Sequence, residues 1–170
     1  YQSLLKVNPD LIVARLQLAF LARQIGLIDL AKENYEKVLE KYPDNVIALN
    51  DLAWILFEHY KEYEKALELA NRGLKLEPDN LYLLDTRGTI LANMPDRLAD
   101  ARKDFEKQLA LTTLNSPRRA RALLQMGRIC AKCKEVAQAK QYLKQASQID
   151  RAYNLFTQKE REEIQRILHD

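Results

Sequence analysis

Pro9 and Pro43 stand 34 residues apart, and Pro43 and Pro78 stand 35 apart. Each proline closes a similar run: YQSLLKVNPDL at the start of the chain, YEKVLEKYPDN at 35–45 and ANRGLKLEPDN at 70–80. A period near 34 residues constrains the fold more than any local signal does. It marks an array of helical repeats, in which each unit buries its apolar face only against its neighbours. Between the prolines the apolar residues recur at a helical spacing that is interrupted once, so each unit reads as two helices. Proline ends the second helix because its ring cannot continue one and because it biases the preceding residue away from helical angles. Asp44, Asn45, Asp79 and Asn80 follow directly and can cap the next helix.

Composition agrees with an all-helical chain. Among 170 residues there are only 4 Gly and 5 Pro, placed at intervals, while Leu and Ala are abundant. No run of 18 or more apolar residues occurs, so no segment reads as a membrane-inserted helix. The N-terminus lacks the layout of a secretion signal. A soluble protein of the cytoplasm or bacterial periplasm is expected. The net charge of +3 is mild but uneven. Residues 1–110 hold 15 Lys and Arg against 18 Asp and Glu, whereas residues 111–150 hold 8 against 2.

Little in the sequence points to catalysis. There is no glycine-rich phosphate loop and no nucleophile motif, so neither an enzyme nor a bound cofactor is expected. Cys130 and Cys133 form CAKC, but towards the end of a predicted helix with no strand before it, which is not the setting of a redox dithiol. A metal site is not expected either, since His59 and His169 lie far from the cysteines without ligand spacing. The pair reads as two small residues in a helix.

The repeat resembles the tetratricopeptide repeat (TPR) family. With each proline set at repeat position 32, the small-residue column at position 8 reads Ala19, Ala53, Gly88 and Gly127, and the column at position 20 reads Ala31, Ala66, Ala101 and Ala139. Position 24 reads Tyr35, Ala70, Phe105 and Leu143; position 7 reads Leu18, Leu52, Arg87 and Met126, where Arg87 departs from the pattern. Repeats two and three each need one extra residue in the internal turn, around HYKEY and NMPDR. The last two repeats have Thr113 and Arg151 in place of the proline, and Pro117 comes late enough to lengthen the link between units three and four. Small residues at positions 8 and 20 let the two helices of a unit cross closely.

The resemblance implies an all-α, right-handed superhelical stack of antiparallel helix pairs. Residues 1–8 then read as the second helix of a truncated repeat, residues 9–150 as four helix pairs, and residues 151–170 as a C-terminal capping helix. Tyr1, Leu4 and Leu5 fall where a second helix carries its apolar residues, so the sequence is expected to be a piece of a longer bacterial array whose N-terminal half-repeat self-associates. At the other end Thr157 and Glu160 form a capping box ahead of the apolar stripe Ile164, Ile167 and Leu168.

In this family the first helices of successive units line a concave face. Carried onto this sequence, that face includes Phe20, Asn50, Trp54, Phe57 and Tyr82, followed by the basic Arg121, Arg128 and Lys132. Aromatics with a polar rim suit a binding hot spot, although helical aromatics also fill cores. The basic end, if more than a solvated face, suits an acidic segment. The residues with which some family members clamp a C-terminal carboxylate are absent: the corresponding positions hold Leu16, Phe20, Asp51, Tyr82 and Thr86.

The resemblance therefore implies a non-catalytic scaffold that binds a partner protein or peptide in a concave groove, the partner pairing an apolar anchor with an acidic flank. A regulatory or localising appendage of a larger enzyme or of an envelope or export machine is the alternative. Nucleic acid is not the expected partner, because the first three units are acidic.

Overall fold

The structure is a computed structural model that describes residues 1–8 and 11–169, apart from the side chains of residues 2 and 6. The helix stop expected at Pro9 lies outside the described residues. Among the described residues all regular structure is helical. The α-helices are α1 (Gln2–Val7), α2 (Ile12–Gln24), α3 (Ile28–Lys41), α4 (Val46–Ile55), α5 (Tyr63–Leu76), α6 (Leu81–Ala92), α7 (Leu98–Leu111), α8 (Pro117–Lys132), α9 (Val136–Tyr153) and α10 (Gln158–His169).

Two compact units divide the chain, Tyr1–Thr86 and Arg87–Asp170, with the boundary inside α6. In the first unit α1 lies against α2, α2 pairs with α3, α3 packs on α4 and α4 pairs with α5. In the second unit α7 packs on α8, α8 pairs with α9 and α9 carries α10.

The small-residue columns do what close crossing requires. Ala19, Ala31, Ala53, Ala66, Ala101 and Ala139 are all fully buried. At Gly127 an added Cβ would lie 2.4 Å from Leu143 Cδ2, and at Gly88 it would lie 2.9 Å from Phe105 Cε2. A small residue at position 8 thus makes room for the large side chain at position 24 of the paired helix. Arg87, which breaks the leucine column, is accommodated by a charge partner: its Nε and Nη2 donate to the two carboxylate oxygens of Asp104 at 2.8 and 2.6 Å. Asp104 is itself buried, so this pair replaces an apolar contact with a bidentate one.

The turns follow the sequence signals with informative differences. Asn45 caps α4 by accepting from Ala48 N–H, and Asn80 caps α6 by accepting from Tyr82 and Leu83 N–H. The extra residue in repeat two is absorbed by a π-helical turn, Leu56–Tyr60, closed by Lys61 in the left-handed region. The extra residue in repeat three appears as a single 3-10 turn, Pro95–Arg97. Ser116 caps α8 by accepting from Arg119 N–H, with Pro117 at the first helical position, where its missing N–H costs nothing.

The fourth pair ends later than its register predicts. Arg151 cannot stop a helix as proline does, so α9 runs on to Tyr153 and ends at Asn154, in the left-handed region. The boundary expected at residue 150 therefore falls three residues on. Asp150 then organises the descent: its Oδ1 accepts from Leu155 and Phe156 N–H at 2.7 and 2.8 Å, and its Oδ2 accepts from Arg161 Nε at 2.7 Å. The capping box forms as expected, Glu160 N–H donating to Thr157 Oγ1 and Thr157 N–H to Glu160 Oε2. Phe156 and Ile164 are buried against Ala120, Leu124, Leu143 and Ile149.

Candidate functional site

Within the first unit, α2, α4 and the start of α6 enclose a cleft of about 440 Å³ lined by Phe20, Arg23, Val46, Ile47, Asn50, Asp51, Trp54, Asn80, Tyr82, Asp85 and Thr86. Four of the residues carried over from the family register meet here: Phe20, Asn50, Trp54 and Tyr82. Phe20 and Tyr82 are well exposed and Trp54 is half-buried, so all three rings can touch a ligand. The helical register explains the convergence, because each occupies the same face of the first helix of its repeat.

The floor of the cleft is polar and internally bonded. Tyr35 Oη donates to Asp51 Oδ2 at 2.8 Å, Asn50 Nδ2 donates to Asp51 Oδ1 at 3.1 Å, and Thr86 Oγ1 donates to Asn50 Oδ1 at 2.8 Å. Burial and the negative charge of Asp51 push the Tyr35 hydroxyl well above its ordinary range, so it stays a donor. This network ties α3, α4 and α6 together beneath the rings. The Arg23 guanidinium lies 5.9 Å from the centre of the Phe20 ring.

Phe57 departs from its expected place. It is only 5% exposed, with its ring 5.6 Å from Trp54 in an edge arrangement and 5.7 Å from Tyr63. The π-helical turn changes the spacing of the following residues and turns Phe57 inward, so it supports Trp54 from behind and does not line the cleft.

The basic residues of the second unit differ from their expected role in a second way. Arg121 Nη1 donates to Glu160 Oε1 at 2.7 Å, and its Nη2 reaches the Leu155 carbonyl. Arg128 grips Glu163 with both Nε and Nη2, at 2.9 and 2.6 Å, and Lys132 Nζ donates to the Ala92 carbonyl at 2.7 Å. Burial works to raise Glu160, yet the Thr157 N–H together with Arg121 and Arg128 outweigh it and hold the carboxyl below its ordinary range. The acidic segment expected as an external partner of this end is thus supplied by the chain itself, in α10. Sequence spacing offered only a faint hint, since these partners lie 35 and 39 residues apart.

Cys130 is buried, Cys133 is exposed at the end of α8, and both are free thiols. Burial pushes the Cys130 thiol up to about 11, far from the range of a reactive thiolate. Among the described residues no group of three or more His, Cys, Asp or Glu is placed to hold a metal ion, and no helix is long and apolar enough to cross a membrane.

Comparison with known proteins matches this geometry to its class. Tetratricopeptide repeat family models match residues 22–85 and residues 120–153. A TPR repeat-containing protein, MJ1428 of Methanocaldococcus jannaschii, is 42% identical over 65 residues, covering 38% of this chain and 11% of that protein. The crystal structure of TTC0263, a thermophilic TPR protein of Thermus thermophilus, superposes with a TM-score of 0.76 at 18% identity, covering 99% of this chain and 87% of that one. PilW, described as a widely conserved type IV pilus biogenesis factor, superposes with a TM-score of 0.75 at 17% identity, covering 96% and 79%. At such identities the two structures speak for the fold alone. The chain belongs to the tetratricopeptide repeat family and has its all-helical solenoid fold. It spans between 11% and 51% of the lengths of the curated relatives it matches.

Proposed function

We propose that the chain is a non-catalytic protein-interaction scaffold that holds an extended or helical segment of a partner protein in the cleft of its first unit. The observation that carries this reading is the convergence of Phe20, Trp54 and Tyr82 on one cleft above a fixed polar floor. Large aromatics set among satisfied polar groups are what a binding hot spot requires: apolar area for affinity and fixed dipoles for orientation. Asn50 serves as part of the floor, and Phe57 holds Trp54 in place. Arg121, Arg128 and Lys132 brace the second unit in this reading, so an acidic flank on the partner is not required by them.

The test is photocrosslinking in the native host, with benzoylphenylalanine placed at Tyr82 or, as a control, at Tyr153, which is also exposed. A discrete adduct from Tyr82 alone, lost when Trp54 is changed to alanine, is expected. Adducts of the same partner from both positions, or none from Tyr82, would remove the reading. The second reading, a regulatory or localising appendage of a larger enzyme or of an envelope or export machine, is favoured by the small share of its relatives' lengths that the chain spans. Self-association through α1 also belongs to the proposal, since Tyr1, Leu4 and Val7 are 50, 51 and 87% exposed. Sedimentation of a Leu4→Glu variant at high concentration checks it.

A further inference from the structure

Arg121 and Arg128 are engaged within the chain, yet the same unit carries a second basic row that no carboxylate answers. Helix α9 reads VAQAKQYLKQASQIDRAY and holds three cations, Lys140, Lys144 and Arg151, against one carboxylate, Asp150. Asp150 is buried and turned inward, accepting from Arg161 and from the N–H groups of Leu155 and Phe156. All of the outward charge of α9 is therefore positive. At about 100° per residue the three cations fall within about 40° of arc and span about 16 Å along the helix. Lys144 and Arg151 are exposed and Lys140 is half-buried. None of the three has a carboxylate partner among the described residues, whereas Arg87, Arg102, Arg121, Arg128 and Arg161 of the same unit each hold one.

Helix α8 shows what this fold sets against such a row. Arg121 and Arg128 stand seven residues apart, and α10 meets them with Glu160 and Glu163, three residues apart on a helix of its own. Lys144 and Arg151 repeat the seven-residue spacing on α9. Beside them lie Gln141 and Gln148, exposed amides that can both donate and accept. A row this narrow suits a rod laid alongside α9 better than a plane. Holding an anionic membrane by charge takes a cluster of about four to eight basic residues, more than this row supplies. Single-stranded nucleic acid asks for rings on which bases stack, and Tyr142 and Tyr153 lie on the opposite flank of the helix, roughly 180° away.

We propose that the outer face of α9 is a second docking surface, and that its occupant is an acidic helical segment of a partner protein with Asp or Glu three or four residues apart along one face. Two helices rise by the same step of about 1.5 Å per residue, so carboxylates on one face of the partner come level with Lys140, Lys144 and Arg151 in turn. Exposed pairs of this kind steer and orient more than they hold, so the contact strengthens as salt is lowered. This surface belongs to the second unit and stands independently of the cleft in the first.

Three blocked peptides on one alanine-rich helical framework are titrated at low salt against the isotope-labelled intact chain, with backbone amide shifts as the readout. One carries glutamates in a single row, one the same glutamates scattered round the helix, and one lysines in a single row. The glutamate row is expected to move the amides around Lys144 and Arg151 saturably and to bind about fivefold more tightly than the scattered glutamates, while the lysine row leaves them unmoved. Lys144→Glu is expected to cost about tenfold in affinity, and Lys75→Glu, the same charge change at an exposed site on α5, less than about twofold. Equal binding of the two glutamate peptides, shifts centred outside α9, or equal effects of the two variants would overturn the inference. Tighter binding through the same amides by a single-stranded oligonucleotide or by phosphatidylserine vesicles would overturn it as well, giving the surface to nucleic acid or to a membrane. The map on the unaltered chain decides the matter even if Lys144→Glu fails to fold.

Discussion

Changing Gly127 to alanine tests the packing rule on which the repeat register depends. By helix propensity alone the change should stabilise α8 by about 1 kcal/mol, because glycine is a poor helix former. Here the new methyl would lie 2.4 and 2.5 Å from Leu143 Cδ2 and Cγ, far inside ordinary contact, and Leu143 is fully buried with nowhere to move. Overpacking of that kind costs about 1–3 kcal/mol. The cost wins at its upper end, for a net loss of about 2 kcal/mol, or about 6 °C in melting temperature for a chain of this size. Urea unfolding followed by circular dichroism measures it. Leu143→Ala alone should cost about 3 kcal/mol through the cavity it leaves. The double variant should be less damaged than the two losses summed, because the methyl enters that cavity. If Gly127→Ala raised stability, α8 and α9 would not approach closely at this point, and the account of the small-residue column would be wrong.

Three further outcomes follow from individual side chains. Phe57→Ala is expected to destabilise the chain by about 3 kcal/mol and to disturb binding only through Trp54, which thermal melts set against peptide titrations will separate. Asp150→Ala should cost about 2 kcal/mol and free α10 for proteolysis, since it removes the carboxylate partner of Arg161 and leaves the Leu155 and Phe156 N–H groups without their acceptor. The hydrogen bond from Arg161 holds the Asp150 carboxyl below its ordinary range; its contribution is therefore complete above that range and is lost as pH falls through the folded-state value, so α10 should loosen in acid and limited proteolysis across a pH series should show it. Cys133 should react with Ellman's reagent in the folded protein at mildly alkaline pH while Cys130 does not, because burial keeps the Cys130 thiol protonated.

Much of this architecture is legible in the residues, for physical reasons. The helix stops at Pro43 and Pro78, the two small-residue columns and the capping box are local or strictly periodic constraints, and the structure honours each of them. The convergence of Phe20, Trp54 and Tyr82 was legible for the same reason, since a fixed register puts matching positions of successive first helices on one face. Phe57 was not. Its register assumed an uninterrupted α-helix, whereas the extra residue that repeat two must absorb enters as a π-helical turn beginning at Leu56. The extra residue was visible in the sequence; the turn type it selects was not. The role of Arg121 and Arg128 was hidden differently, because a basic face on one helix says nothing of which carboxylates a later helix brings to it. Asp150 gave no signal at all, sitting in a helix whose end was placed three residues too early.

The most direct test of the central claim compares exposed apolar residues on the two sides of the first unit. Tyr82 is 63% exposed at the cleft, and Leu76, at the end of α5, is 44% exposed away from it. Neither is a core residue, so Tyr82→Arg and Leu76→Arg should leave the melting temperature within about 2 °C of the parent, as surface changes usually do. Affinity for the protein captured by crosslinking, measured by titration calorimetry, should fall more than about tenfold for Tyr82→Arg and be unchanged for Leu76→Arg. Undiminished binding by Tyr82→Arg, with loss in Leu76→Arg, would place the partner on the second helices and contradict the account.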